Sequence, residues 1–398
     1  MLATLEPSPV AGRLDQFLGR HPDAITPFLL VDLDVVRRQY GRLTAALPGT
    51  GVFYAVKANP APEVLSLLIE LGSNFDVASR GEIELCLGLG ADPARLSYGN
   101  TVKKERDIAA AYGRGVRLFT VDSEPELDKV LRTVADGTVF VRIVTDGAGA
   151  DWPLSRKFGC TVAEAGPMLL RAARAGLRVG ISFHVGSQQR NPDAWDRPLS
   201  QVAQLARRLA ASGHELAGVN LGGGLPSRHA DPTADIETYG AAIGGSVAAR
   251  LGPGFNGFVM VEPGRYLVGD AGVIRTEVVQ IVRRASDPGR RWVFLDVGLF
   301  NGLTETLDEA IRYRIQAPGH GSGTGTGSVV LAGPSCDSAD VLYETYQYQL
   351  PLDLQVGDHL EIHGTGAYTC SYSSVGFNGF PPLTSYFLPA AVRAGLAS

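Results

Sequence analysis

In YAVKANP an apolar run ends on a lysine, Lys57. A lysine drawn out of water becomes a better nucleophile toward a carbonyl, although a lysine at a strand end can also snorkel to the surface. Further along, FHVGSQ carries His184, GVNL is followed by Gly222-Gly223-Gly224, and EPGR sets Glu262 three residues before Arg265. Bare glycines let backbone N–H groups approach a phosphate, and a guanidinium grips one through its fork. A carboxylate can keep a pyridine nitrogen protonated, and an imidazole can stack on a flat ring. Each feature also has a plainer reading: a tight turn, a surface Glu–Arg pair, a core histidine. Together they suit an aldehyde cofactor that bears a phosphate and a ring nitrogen.

Other chemistries find less support. Cys86, Cys160, Cys336 and Cys370 match no CxxC or zinc spacing and read as free thiols in a reducing cytoplasm. The seven histidines form no ligand set; His359 and His363 flank Glu361 in HLEIH, which is not HExxH and alternates like a strand. No metal site is expected. A net charge of −5 without long single-sign runs does not indicate nucleic acid. No apolar span of about 20 residues suggests a membrane helix, and MLATLEPSPVAGRLDQ lacks the marks of a secretory signal.

These residues need elements to position them. A chain of 398 residues with 45% apolar content can bury a large core, and two domains is the natural expectation. After PFLLVDL comes a helix whose apolar positions Leu33, Val36, Tyr40, Leu43 and Leu47 step by three or four. From residue 51 eight short apolar runs alternate with helical stretches: GVFYAVKA, NFDVAS, RLSYGN, LFTVDS, VFVRIV, GISFHV, GVNLGGG and FVMVEPG. The count of eight favours a (β/α)8 barrel over an open doubly wound sheet. Barrel sites gather at the C-terminal strand ends, here Lys57, Asp76, Asn100, Arg142, His184, Gly222–Gly224, Glu262 and Arg265. After about residue 268 the pattern turns β-rich, through VIRTEVVQIVRR, RWVFLDVG, SVVLAG, LYETYQYQLPL and DHLEIHG. PGHGSGTGTGSV (318–329) lacks the phosphate-loop lysine pattern and reads as a flexible surface loop.

In order and content, YAVKANP, FDVAS, FHVGSQ, LGGG, EPGRY, GPSCDSAD, GAYT and FNGF resemble the fold-type III pyridoxal phosphate decarboxylases, the ornithine, lysine, arginine and diaminopimelate enzymes. The resemblance runs from about residue 26 to the C-terminus. It implies an alanine-racemase-like (β/α)8 barrel over 29–268, a C-terminal β-sandwich or barrel-like domain over 269–398, and a segment 1–28 that joins the β domain. It also implies pyridoxal 5'-phosphate held as an imine on Lys57, with His184 stacked on the ring and Glu262 at its nitrogen. Gly224, Arg265 and Tyr368 would hold the phosphate. Asp76, Arg142, Ser187, Gly223 and Gly264 complete the expected cofactor set. Lys57, Cys336 and His184 are the expected catalytic residues. Cys336 and Asp337 would reach across a homodimer interface, the cysteine as proton donor and the aspartate as anchor for the substrate's distal amine.

Cys336-Asp337-Ser338, GAYTCSYSSVGFNGF and Tyr266 in EPGRY lean toward the bacterial ornithine/lysine branch. L-Ornithine, decarboxylated to putrescine, is the substrate expected. Lysine, or a diamino acid of a siderophore or antibiotic pathway, stands as the alternative, ahead of diaminopimelate or racemisation. The eukaryotic YDH segment is replaced by FNGLTETLDEAIRY, where Glu305 or Asp308 is expected to meet the substrate alongside Asp337 and Tyr368. A pyridoxal phosphate carrier would lack the β domain, and a silent regulator need not retain Lys57 and Cys336. The setting expected is cytoplasmic.

Overall fold

The structure, a computed structural model, describes residues 9–320 and 325–391. Part of the N-terminal stretch read for a signal, the end of the β domain and the middle of the Gly-rich loop (321–324) lie outside the described residues. The chain divides into two compact units, one of Gln39–Pro226 with Thr233–Tyr266, the other of Met1–Arg38, Ser227–Pro232 and Leu267–Ser398.

The first unit is a closed eight-stranded barrel. Its strands are β1 (Gly51–Ala55), β2 (Asn74–Val77), β3 (Leu96–Tyr98), β4 (Leu118–Val121), β5 (Thr138–Arg142), β6 (Arg178–Ser182), β7 (Leu216–Asn220) and β8 (Phe258–Val261). Neighbours in the chain are parallel neighbours in the barrel, and β8 closes onto β1. All eight apolar runs of the sequence became these strands, as the (β/α)8 reading requires. Because side chains alternate, one inward row runs Phe140 to Arg142, another Gly218 to Asn220, another Met260 to Glu262. Phe53, Phe140 and Met260, with Leu118 and Phe258, fill the barrel interior. Burying a side chain of this size contributes about 1.5–3 kcal/mol. Two inward glycines make room for the rings: a Cβ on Gly180 would sit 2.4 Å from the Phe140 ring, and one on Gly218 2.8 Å from that of Phe258. The apolar floor thus ends where the polar strand ends begin.

The helices between strands begin on ordinary caps. Ser79 Oγ accepts from Glu82 N–H at 3.3 Å, and Thr161 and Glu164 form a reciprocal capping box. Helices Glu105–Gly113 and Ile236–Leu251 were not read from the sequence. The second is built largely from small residues, IETYGAAIGGSVAARL, so its apolar stripe is faint.

The second unit is a mostly antiparallel eight-stranded sheet. The long strand Gly272–Arg284 pairs along its first half with His359–His363 and with Phe28–Asp32, and along its second half with Asp287–Leu295. Thr326–Ala332 and Val341–Pro351 extend the sheet, and Thr384–Leu388 runs parallel to Phe28–Asp32. The boundary expected at 28/29 assigns residues 29–32 of the strand Phe28–Asp32 to the barrel, whereas the whole strand pairs in this sheet. FLLVD is buried throughout, and such a run reads the same in either setting. HLEIH is a strand, with His363 Nε2 3.1 Å from Gln316 Oε1. Among the described residues no helix is long and apolar enough to cross a membrane.

Candidate active site

The barrel's C-terminal rim is assembled from strand ends whose loops are tied to one another. After β1 the chain makes one 3-10 turn, Val56–Ala58, that carries Lys57. The turn is held by Tyr54, whose hydroxyl donates to the Asn59 carbonyl at 2.9 Å. Of the two readings left open for Lys57, desolvated or reaching to the surface, the structure shows the second: its side chain is 52% exposed, because it stands at the mouth and not inside the strand layer. Its Nζ lies 3.7 Å from Oδ2 of Asp76 on β2, which is buried. Asp76 Oδ1 has no hydrogen-bond partner. Burial raises the Asp76 carboxyl above its ordinary range, and the charges of Lys57 and Arg142 offset this only in part. Gly99 is required beside it, since a Cβ there would fall 2.0 Å from Asp76 Oδ1.

Arg142 closes β5, with its guanidinium 5.4 Å from the Phe158 ring centre. Burial lowers its pKa, opposed by Glu262, Asp122 and Asp76. His184 follows β6, and its Nδ1 accepts from Gly186 N–H at 3.0 Å. A neutral imidazole bonded in this way carries its proton on Nε2. Burial, then the charges of Arg142 and Lys57, hold it well below the usual histidine range, so the ring is neutral.

Glu262 follows β8, and Asn220, at the end of β7, donates to its Oε1 at 2.5 Å. Burial and the nearby Asp76 push the Glu262 carboxyl up to about 7, against the lowering effect of Asn220. Between these strands lies the glycine run. A Cβ on Gly223 would sit 2.7 Å from the Glu262 carbonyl and 3.1 Å from His184 Nε2. Gly224 has φ +107°, and a Cβ there would meet the Gly186 carbonyl at 2.5 Å. Arg265, buried in the short helix after Gly264, donates through Nη2 to Ser187 Oγ at 3.1 Å. Of the residues expected for the cofactor, the barrel unit thus gathers Lys57, Asp76, Arg142, His184, Ser187, Gly223, Gly224, Glu262, Gly264 and Arg265 on its C-terminal rim. Asn220 was missed, although its place two residues after inward Gly218 and two before Gly222 was readable.

In the sheet unit Cys336 is exposed, and its N–H donates to Asn378 Oδ1 at 3.0 Å. Asp337, also exposed, caps its own turn through Ala339 N–H at 2.9 Å. The turn hangs on buried Asp340, which accepts from Leu299 N–H at 2.7 Å and Ser335 N–H at 3.0 Å. Tyr368 is half-buried at φ +59°. Glu305 is buried, with the Tyr313 hydroxyl 3.4 Å from its Oε2, whereas Asp308 is exposed at φ +53°.

The barrel rim fits pyridoxal phosphate. It offers an amine beside a buried carboxylate whose other oxygen lacks a partner, a neutral imidazole, a carboxyl poised near neutrality, and a glycine loop with no room for side chains. The family model "Pyridoxal-dependent decarboxylase, pyridoxal binding domain" matches residues 33–269. A lysine/ornithine decarboxylase of Selenomonas ruminantium is 38% identical over 357 residues, 89% of this chain and 88% of that protein. The structure of a lysine/ornithine decarboxylase from Vibrio vulnificus, complexed with putrescine, superposes with a TM-score of 0.84 at 29% identity, over 96% of this chain and 99% of that one. The arginine decarboxylase of Paramecium bursaria Chlorella virus gives 0.85 at 28% identity, over 95% and 100%. This chain belongs to the pyridoxal phosphate-dependent decarboxylases, in the group that acts on basic amino acids.

Proposed function

We propose that the protein decarboxylates L-ornithine to putrescine, with L-lysine as the second reading. The observation that carries this is Asp337, a single exposed carboxylate next to Cys336 in a turn anchored by Asp340. One carboxylate suits a substrate that ends in a plain ammonium. The relatives named for lysine and ornithine favour the same pair.

Pyridoxal phosphate, when bound, supplies the electron sink that makes loss of CO2 from Cα feasible. The chain's residues hold and tune it. Lys57 Nζ would hold it covalently at the mouth of the barrel. Glu262, with Asn220 behind it, would keep a proton on the ring nitrogen. His184 offers the face of a neutral ring for stacking, since Gly186 N–H fixes its plane through Nδ1. Ser187, Gly223, Gly224 and Arg265 take the phosphate, joined by Tyr368. Asp76 and Arg142 set the field around Lys57. Cys336, contributed by the partner in a homodimer, delivers a proton to Cα after CO2 leaves, and Asp337 of the same turn holds the distal ammonium. Glu305 and Asp308 stand on the neighbouring segment as further substrate contacts.

Turnover of ornithine, lysine, arginine, meso-diaminopimelate and norvaline, read as CO2 and amine product, tests the reading. Ornithine should have the highest kcat/KM. Asp337→Ala should raise KM for ornithine and lysine by about ten- to a hundredfold, and far less for norvaline. Equal losses on charged and uncharged substrates would remove Asp337 as the ammonium anchor, and preference for diaminopimelate would overturn the assignment.

A further inference from the structure

Three loops make the upper wall of the barrel rim, and one buried residue joins them, through its side chain to the loop after β5 and through its backbone to the glycine run. Gln189, in the loop after β6, is fully buried. Its amide nitrogen donates to the Val185 carbonyl at 2.8 Å and the Ala148 carbonyl at 3.0 Å. Its Oε1 accepts from Asn191 N–H at 3.0 Å. Its backbone N–H donates to the Gly224 carbonyl at 2.9 Å, and its carbonyl accepts from the Tyr239 hydroxyl at 2.7 Å. The loop after β5 is paired to it as well, because Ala150–Trp152 and Ser187–Gln189 form a small antiparallel ladder. Gly149 leaves the space it needs: a Cβ there would sit 2.6 Å from Gln189 Oε1. Behind it, the indole N–H of Trp195 donates to the Leu221 carbonyl at 3.1 Å, directly before the glycine run, and packs edge-on against Tyr239.

We propose that Gln189 is the positioning residue of the phosphate cradle, locking the loops that carry Ser187 and Gly222–Gly224 into one register. This rests on the reading of those residues as phosphate ligands. The physical reason is that a phosphate is held by N–H groups and a hydroxyl whose directions must converge, while glycines supply no stiffness of their own. Rigidity has to come from the wall. Gln189 provides it from two donors, an acceptor and both of its backbone groups. Tyr239 supports Gln189 from the helix Ile236–Leu251.

The test compares two ligands on the full-length protein stripped of cofactor. Pyridoxal phosphate uses the cradle, whereas pyridoxal, which lacks the phosphate, uses only Lys57 and the ring contacts. Dissociation constants are read from the absorbance change on binding. The unaltered protein should prefer pyridoxal phosphate strongly. Gln189→Met, similar in length and without donors or acceptor, should weaken pyridoxal phosphate about ten- to a hundredfold and change pyridoxal less than about threefold. Tyr239→Phe, a milder change that keeps the ring packing, should shift the same ratio by about three- to tenfold and stands in if Gln189→Met does not fold. Equal weakening of both ligands would mean that Gln189 supports the barrel generally, and an unchanged ratio in both variants would equally overturn its role. Equal affinity of the unaltered protein for the two ligands would overturn the phosphate reading itself.

Discussion

Asn220 and Glu262 meet across the ends of two neighbouring barrel strands, with the side-chain amide donating to Oε1 at 2.5 Å. The orientation of the amide is set by its other end, because Asn220 Oδ1 accepts from Gly222 N–H at 2.9 Å. Gly222 in turn accepts from Glu262 N–H at 2.9 Å, so the two side chains and the glycine turn form one closed loop. The bond favours the ionised carboxylate, which is the form that holds a protonated ring nitrogen. Asn220→Ala should therefore lower kcat by about tenfold, and Glu262→Gln by about ten- to a hundredfold or more. Both should leave KM for the amino acid nearly unchanged. A large KM effect with intact kcat would contradict the role assigned to the pair.

The Glu262 carboxyl also fixes a pH dependence. In the protein without cofactor it sits at about 7, above its ordinary value of 4.5, chiefly through burial. Between these values the folded chain keeps a proton that the unfolded chain has released. Its contribution to stability is full below about 4.5 and is lost as pH rises through about 7. Asp76, also raised by burial, acts in the same direction. The Tm of the cofactor-free protein should fall between pH of about 4.5 and 8, and Glu262→Gln should flatten the fall. The same slope in the variant would show that this carboxyl is not the group responsible.

Gly99 lies outside every motif, yet a Cβ there would be 2.0 Å from Asp76 Oδ1. Gly99→Ala must displace the carboxylate from its present position beside Lys57. Cofactor affinity should drop by about tenfold or more, the scale of one lost charge-assisted hydrogen bond. Gly88→Ala, where nothing stands within 4 Å, is the control and should be silent. Equal behaviour of the two variants in a cofactor titration would contradict the crowding at Asp76.

The composite site proposed for a homodimer makes a counting prediction. Mixed and exchanged 1:1, Lys57→Ala and Cys336→Ala subunits should regain activity in about a quarter of all sites, since only one site of each mixed dimer is intact. Each variant alone should stay inactive. Absence of recovery after demonstrated exchange would mean that each chain completes its own site.

Much of this was legible because strand period and barrel geometry act locally. Phe140 and Arg142, or Met260 and Glu262, share a face by alternation alone, so the polar rim could be read from eight apolar runs. The second layer was not legible. Gln189 and Tyr239 are 50 residues apart, and nothing in either neighbourhood marks their bond. The helix that carries Tyr239 is rich in Gly and Ala and gave no clear stripe. Residues 29–32 were placed on the barrel side because an entirely buried strand shows no alternation that would name its sheet. The exposure of Lys57 was left open because an apolar run alone does not say where its strand stops; it ends at Ala55, short of the lysine.

The attachment of the cofactor at Lys57 is the central claim, and the chain makes it unusually testable. It contains five lysines: Lys57, Lys103, Lys104, Lys129 and Lys157. Lys103 is buried, with its Nζ donating to the Asn100 carbonyl at 2.7 Å and the Thr120 carbonyl at 2.6 Å. The protein loaded with pyridoxal phosphate should be reduced with borohydride, digested and mapped by mass spectrometry. The account predicts one pyridoxyl phosphate adduct, on the peptide that contains Lys57, and none in Lys57→Ala. An adduct chiefly on another lysine, or labelling that persists in Lys57→Ala together with turnover, would contradict it.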